Sequence, residues 1–68
     1  MYENLKTVLR RRHITLKQYA DFIGVSEKTA WNKLKGNNDF TLPEFKRTCM
    51  LLPEFNADYL FLQDINNA

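Results

Sequence analysis

The chain has 68 residues, 44% of them hydrophobic and 26% charged, with a formal net charge of +2. That length holds one domain with a small core, and the apolar share excludes a chain disordered throughout. A single cysteine excludes an intrachain disulfide and fits a reducing compartment, while apolar runs such as Tyr59-Leu60-Phe61-Leu62 fall far short of the roughly 20 residues that span a bilayer.

Two glycines and frequent helix formers predict an all-α fold of five short helices. Leu5, Val8 and Leu9 recur at i, i+3, i+4 and make residues 3–12 an amphipathic helix. Thr15 followed by Gln18 is a capping box that opens a second helix from Leu16 to Ile23, with Tyr19, Ala20 and Ile23 buried. Gly24 supplies the left-handed turn behind it, Ser26 caps a third helix, and Gly36 ends that helix. Thr41 with Glu44 is a second capping box, and Pro43 is tolerated in the first turn because amides there lack helical partners. This fourth helix stops before Pro53, with Leu42, Phe45, Cys49 and Leu52 as its expected buried stripe. Asn56 caps a last helix over Ala57 to Leu62, and Asn66-Asn67-Ala68 reads as a frayed tail. No repeat or linker divides the chain, so residues 1–68 are expected to form one domain.

Charge is uneven along this frame. Residues 1–17 hold five cations against Glu3, a net of +4; residues 18–36 carry +1, and residues 37–68 carry −3. One end is therefore suited to an anionic partner and the other repels it. An alternative is a solvated helix end, where Arg10, Arg11 and Arg12 complement the macrodipole. Charge at Glu3 and Lys6 with no apolar stretch behind it argues against a signal peptide. A cytoplasmic protein with no membrane partner is expected.

Residues 15–36 carry the functional signal. Two capped helices joined by Gly24-Val25-Ser26 form a helix-turn-helix, whose second helix can enter the DNA major groove. The stripe Ala30 and Leu34 packs inward, while Lys28, Asn32 and Lys35 lie opposite. Trp31, the only tryptophan, sits about 100° round from Ala30, on the border of the wet face.

The segment ITLKQYADFIGVSEKTAWNKLKG resembles the helix-turn-helix of the lambdoid phage repressor/Cro family, also called the XRE family. The residues that carry the resemblance are Thr15, Tyr19-Ala20, Ile23-Gly24-Val25-Ser26, Thr29 and Gly36. MYENLK is similar to the opening of small prophage-borne members from Gram-positive bacteria, and DFTLPEF and ADYLF are similar to the fourth and fifth helices of that fold. The chain departs from the family twice. Leu16 stands where many members have a phosphate-holding glutamine, and Leu9 with Leu34 replaces an arginine–glutamate pair.

The resemblance implies a lambda-repressor-like domain that reads double-stranded operator DNA with the third helix. It places Ser26, Glu27, Lys28, Trp31 and Asn32 at base edges. Lys28 would donate to guanine, Asn32 would bind adenine bidentately, and Glu27 would accept from cytosine. For Trp31 three readings stand open: cover for a thymine methyl, a side chain folded down at the core margin against the second or fourth helix, or a protein contact. Thr15, Lys17, Lys35, Asn37 and Asn38 are the candidate phosphate contacts, with plain solubilising surface the rival for both lysines. Family members commonly bind as homodimers, and Phe55, Tyr59, Phe61 and Leu62 are the candidate dimer contacts unless core packing claims them.

Nothing points to an enzyme, a metal or a cofactor. His13, the only histidine, falls in a turn without ligand-spaced partners, and Cys49 lies on a core stripe rather than beside an activating group. The expected function is a Cro-like or repressor-type transcriptional regulator of a phage or prophage. The alternative is an antirepressor or modulator that keeps the fold and binds a phage repressor protein. The modest net charge, Leu16, and Trp31 beside Glu27 favour that alternative.

Overall fold

Capping side chains cut the chain into short segments, and helical spacing of the apolar residues turns one face of each inward. The computed structural model describes residues 1–63, and over them the fold is all-α: α1 (Glu3–Arg11), α2 (Leu16–Ile23), α3 (Glu27–Lys35), α4 (Leu42–Leu51) and α5 (Ala57–Leu60). No strand forms among the described residues. The frayed tail expected at residues 66–68 lies outside them.

Both capping boxes form. Thr15 Oγ1 accepts from the Gln18 amide at 3.1 Å, and Gln18 Oε1 accepts from the Thr15 amide at 2.9 Å. Thr41 Oγ1 accepts from the Glu44 amide at 3.3 Å while Glu44 Oε1 accepts from the Thr41 amide at 2.9 Å. Such caps satisfy first-turn amides that have no helical acceptor. Ser26 Oγ accepts from the Thr29 amide at 3.1 Å, and Asn56 Oδ1 accepts from the Asp58 amide at 2.7 Å. Gly24 and Gly36 close α2 and α3 with φ of +84° and +91°, a region open to glycine without steric cost.

The end of α1 uses the same geometry without a glycine. His13 has φ of +58°; its amide donates to Arg10 O at 3.0 Å and the Ile14 amide donates to Leu9 O at 2.9 Å. These two bonds make a Schellman motif with histidine at the left-handed position. The turn position expected for His13 is thus a helix cap, and its side chain is exposed.

The core gathers Leu5, Val8 and Leu9 from α1, Tyr19, Ala20 and Ile23 from α2, Ala30 and Leu34 from α3, then Leu52 and Leu60. Each large aliphatic side chain removed from water contributes about 1.5–3 kcal/mol. α2 packs on α3 and α4, and α1 packs on α3 and α5. A second apolar group lies beside this core: the ring of Phe61 meets those of Tyr2, Phe40 and Phe45 at 6.0, 5.1 and 4.7 Å. Aromatic pairs at these spacings add to simple area burial. Phe61 is thereby claimed by intramolecular packing, whereas Tyr59 and Leu62 stay 44% and 62% exposed.

The α4 stripe is corrected by the structure. Leu42 is 63% exposed, and Phe45 and Cys49 are only partly buried. Glu44 and Thr48 face inward instead, at i and i+4, with Leu52 following. Polar partners make this possible. Thr48 donates to Glu44 O at 2.9 Å, so its oxygen accepts from the Tyr19 hydroxyl at 2.7 Å. Burial pushes the Tyr19 phenol far above its usual range and keeps that donor protonated. A buried polar group without such partners would be costly. Two helix ends also differ by one or two residues: α1 stops at Arg11 and α5 at Leu60.

Candidate nucleic-acid interface

The outward face of α3 follows from what the helix buries. Ala30 and Leu34 are 0% and 2% exposed, so Lys28, Asn32 and Lys35, on the opposite side of a 3.6-residue turn, point away from the core. Lys28 and Lys35 are exposed and Asn32 is half-buried. Ser26 and Glu27 are exposed at the start of the helix, and Asn37 and Asn38 just beyond its end. Thr15, which caps α2, and Lys17 in its first turn are exposed.

Two contacts hold α3 in place, and a third fixes α2 beside it. The Tyr2 amide donates to Leu34 O at 2.9 Å and occupies a carbonyl at the helix end. Arg47 Nη1 donates to Ile23 O at 3.2 Å and ties the end of α2 to α4. The strongest anchor is Lys33, which is 7% exposed. Its Nζ lies 2.9 Å from Glu44 Oε1 and donates to Asp39 O at 2.8 Å. Lys33 is one of the three lysines that give residues 18–36 their net +1, and the fold withdraws it from the surface. Burial pushes the Glu44 carboxyl up, but the Thr41 amide and the Lys33 ammonium outweigh burial and hold it below its ordinary value of 4.5. Glu44 thus caps α4 and pins α3 at once. The capping-box spacing revealed the first role; only the packing of α3 on α4 revealed the second.

Three candidate contacts have partners within the chain. The Ser26 hydroxyl accepts from the Thr29 amide and gives its proton to Thr29 Oγ1 at 2.9 Å. The Thr15 amide and Oγ1 are both used by Gln18, which leaves the Thr15 hydroxyl proton. Lys17 lies 3.7 Å from Asp21, an exposed i, i+4 pair of small energetic weight. The remaining ion pairs among the described residues join Arg12 to Glu54 and Lys33 to Glu44, so neither involves Lys28 or Lys35.

Trp31 lies at the margin of the core, on a groove shared with Leu9 and Arg10 of α1 and Leu16 of α2. It is 37% exposed and leans toward α1, with Lys6 Nζ 5.2 Å and Lys35 Nζ 5.7 Å from its ring centroid. Both distances are within cation–π range. Leu9 and Leu34 are buried where α1 meets α3, and Trp31 stands at the edge of that seam. Beside it runs a groove of about 260 Å³ lined by Lys6, Leu9, Arg10, Ile14, Leu16, Trp31 and Leu34.

No family model, curated protein or solved structure matches the chain. Among the described residues no group of three or more His, Cys, Asp or Glu is placed to hold a metal ion, and no helix is long and apolar enough to cross a membrane.

Proposed function

We propose that this chain is a sequence-specific double-stranded DNA-binding regulator of the phage repressor/Cro kind, with α3 in the major groove. The observation that carries the reading is the outward pairing of Lys28 with Asn32, one turn apart on a helix anchored from behind by Lys33 and Leu34. A helix about 10–12 Å across with its side chains fits a groove about 12 Å wide. A turn of about 5.4 Å sets Lys28 and Asn32 within reach of neighbouring base pairs. Lysine suits guanine O6 and N7, and asparagine suits adenine N6 and N7. Lys17, Lys35, Asn37 and Asn38 flank this pair with donors of the kind that hold phosphates and fix register. Leu16 offers no donor, so the Thr15 hydroxyl and the first-turn amides of α2 take over that position.

Selection of bound duplexes from a random pool tests the reading. The expected result is a consensus whose preference at one position relaxes in Lys28→Ala and at another in Asn32→Ala, each with a loss of about 1–3 kcal/mol on the selected site. Equal losses on random duplex would make both residues phosphate contacts, and recovery of no consensus at low salt would remove the proposal in favour of protein binding.

A further inference from the structure

The groove beside Trp31 lies on the α1 side of the helix face assigned to DNA, and its chemistry differs from that face. Leu9, Ile14, Leu16 and Leu34 make an apolar floor, Trp31 makes one wall, and Lys6 and Arg10 stand at the rim with no carboxylate among the lining residues. A phosphate backbone gains nothing from such a floor, because desolvating a phosphate against aliphatic carbon is unfavourable. At about 260 Å³ the groove is below the roughly 300–1,000 Å³ of small-molecule sites. It has room for one or two side chains of a peptide. The cations Lys6 and Lys35 on the Trp31 ring, together with exposed Arg10, call for carboxylates around an apolar anchor. With Arg12 paired to Glu54 and Lys17 beside Asp21, Lys6, Arg10 and Arg11 remain as the cations of residues 1–17 that steer the same kind of ligand toward this side of the molecule.

We propose that the α1–α3 groove docks an acidic segment of a partner protein that carries an apolar anchor residue, and that the segment and a DNA duplex exclude one another at Trp31 and Lys35. The exclusion rests on the DNA-binding reading above, whereas the docking does not. Anchoring would place a leucine- or phenylalanine-sized side chain on Leu9, Ile14 and Leu16, with flanking carboxylates on Lys6 and Arg10. The same carboxylates near Lys35 would repel phosphates from the end of α3.

A phage-displayed library of random nine-residue peptides, panned on the full chain without DNA, tests the docking. Enriched peptides are expected to hold two or more Asp or Glu around a Leu, Ile or Phe. The leading peptide, synthesised, should shift Trp31 emission and bind at least tenfold more weakly to Arg10→Glu and to Leu16→Glu, with helical circular dichroism intact in both. Arg10 is exposed, so its variant keeps the test alive should Leu16→Glu unfold. Enrichment without acidic bias, or affinity unchanged in Arg10→Glu, overturns the docking. So does Trp31 emission that varies with protein concentration in the absence of peptide, which would make a second copy the occupant. Saturating peptide should then release bound duplex; a ternary complex overturns the exclusion alone, and failure to bind any duplex counts against the DNA reading while leaving the docking measured.

Discussion

His13 shows how one residue can hold a helix end under mild strain. A side chain at φ of +58° is disfavoured by roughly 1–2 kcal/mol relative to the ordinary helical region, a penalty glycine does not carry. His13→Gly is expected to raise stability by about 0.5–1 kcal/mol in chemical denaturation, the gain being reduced by the greater freedom of glycine in the unfolded chain. Gly24 is the converse case. A Cβ there would stand at φ of +84° and only 2.9 Å from Arg47 Nη1, so Gly24→Ala should lower stability by about 1–2 kcal/mol and loosen the Arg47 bond to Ile23 O. Tyr19 adds a buried hydroxyl bonded to Thr48 Oγ1 at 2.7 Å. Tyr19→Phe removes that bond while Thr48 keeps its own bond to Glu44 O, and a loss of about 0.5–1.5 kcal/mol in the same measurement is expected.

Between elements, the decisive contact is Lys33 with Glu44, whose side chains are only 8% and 10% exposed. Glu44→Gln keeps an acceptor for the Thr41 amide but leaves Lys33 with a buried charge facing a neutral group. A loss of about 3 kcal/mol is expected. The double variant Lys33→Met with Glu44→Gln should lose less than the sum of the single losses, because the two side chains form one unit. The pH dependence has a definite sign. The folded-state pKa of Glu44 lies below 4.5, so the folded state holds its proton less tightly than the unfolded state. The resulting stability is fully present above that ordinary value and is lost as pH falls through the lower folded one. Thermal melts between neutral pH and pH 2 should show this acid-side loss in the parent and a flatter profile in Glu44→Gln. An equally steep fall in both would place the acid sensitivity at other carboxylates.

At the scale of the whole molecule, a net charge of +2 understates what a duplex would meet. Lys33 is withdrawn into its pair with Glu44, and Arg12 faces Glu54. Lys28, Lys35 and, through a weak pair with Asp21, Lys17 remain for an anion on the α2–α3 side. With about three to five phosphates neutralised, log K should fall against log salt with a slope of about −3 to −4.5. Lys35→Ala should reduce that slope by about 1 without changing the selected consensus. A slope near zero would mean that the α3 face does not meet phosphates. Trp31 emission reports on the same face, and it should change on addition of duplex because Lys35 would leave the ring for the backbone.

The sequence by itself determined the elements: Thr15 with Gln18, Ser26, Thr41 with Glu44, and Asn56 begin their helices where their short-range spacing says, and Gly24 and Gly36 end theirs. Those signals act within a few residues and need no tertiary partner. The outward placement of Lys28 and Lys35 was legible for the same reason, since Ala30 and Leu34 fix the phase of α3. Only the tertiary structure decided the phase of α4, where Thr48 and Glu44 displace Leu42 from the inner face, because their burial depends on Tyr19 and Lys33 from distant segments. It also decided that Lys33 is an anchor rather than a surface cation, and that Trp31 leans on α1 beside an apolar groove. A polar or amphipathic side chain takes its place from partners brought together by folding, and no local pattern encodes which partner arrives.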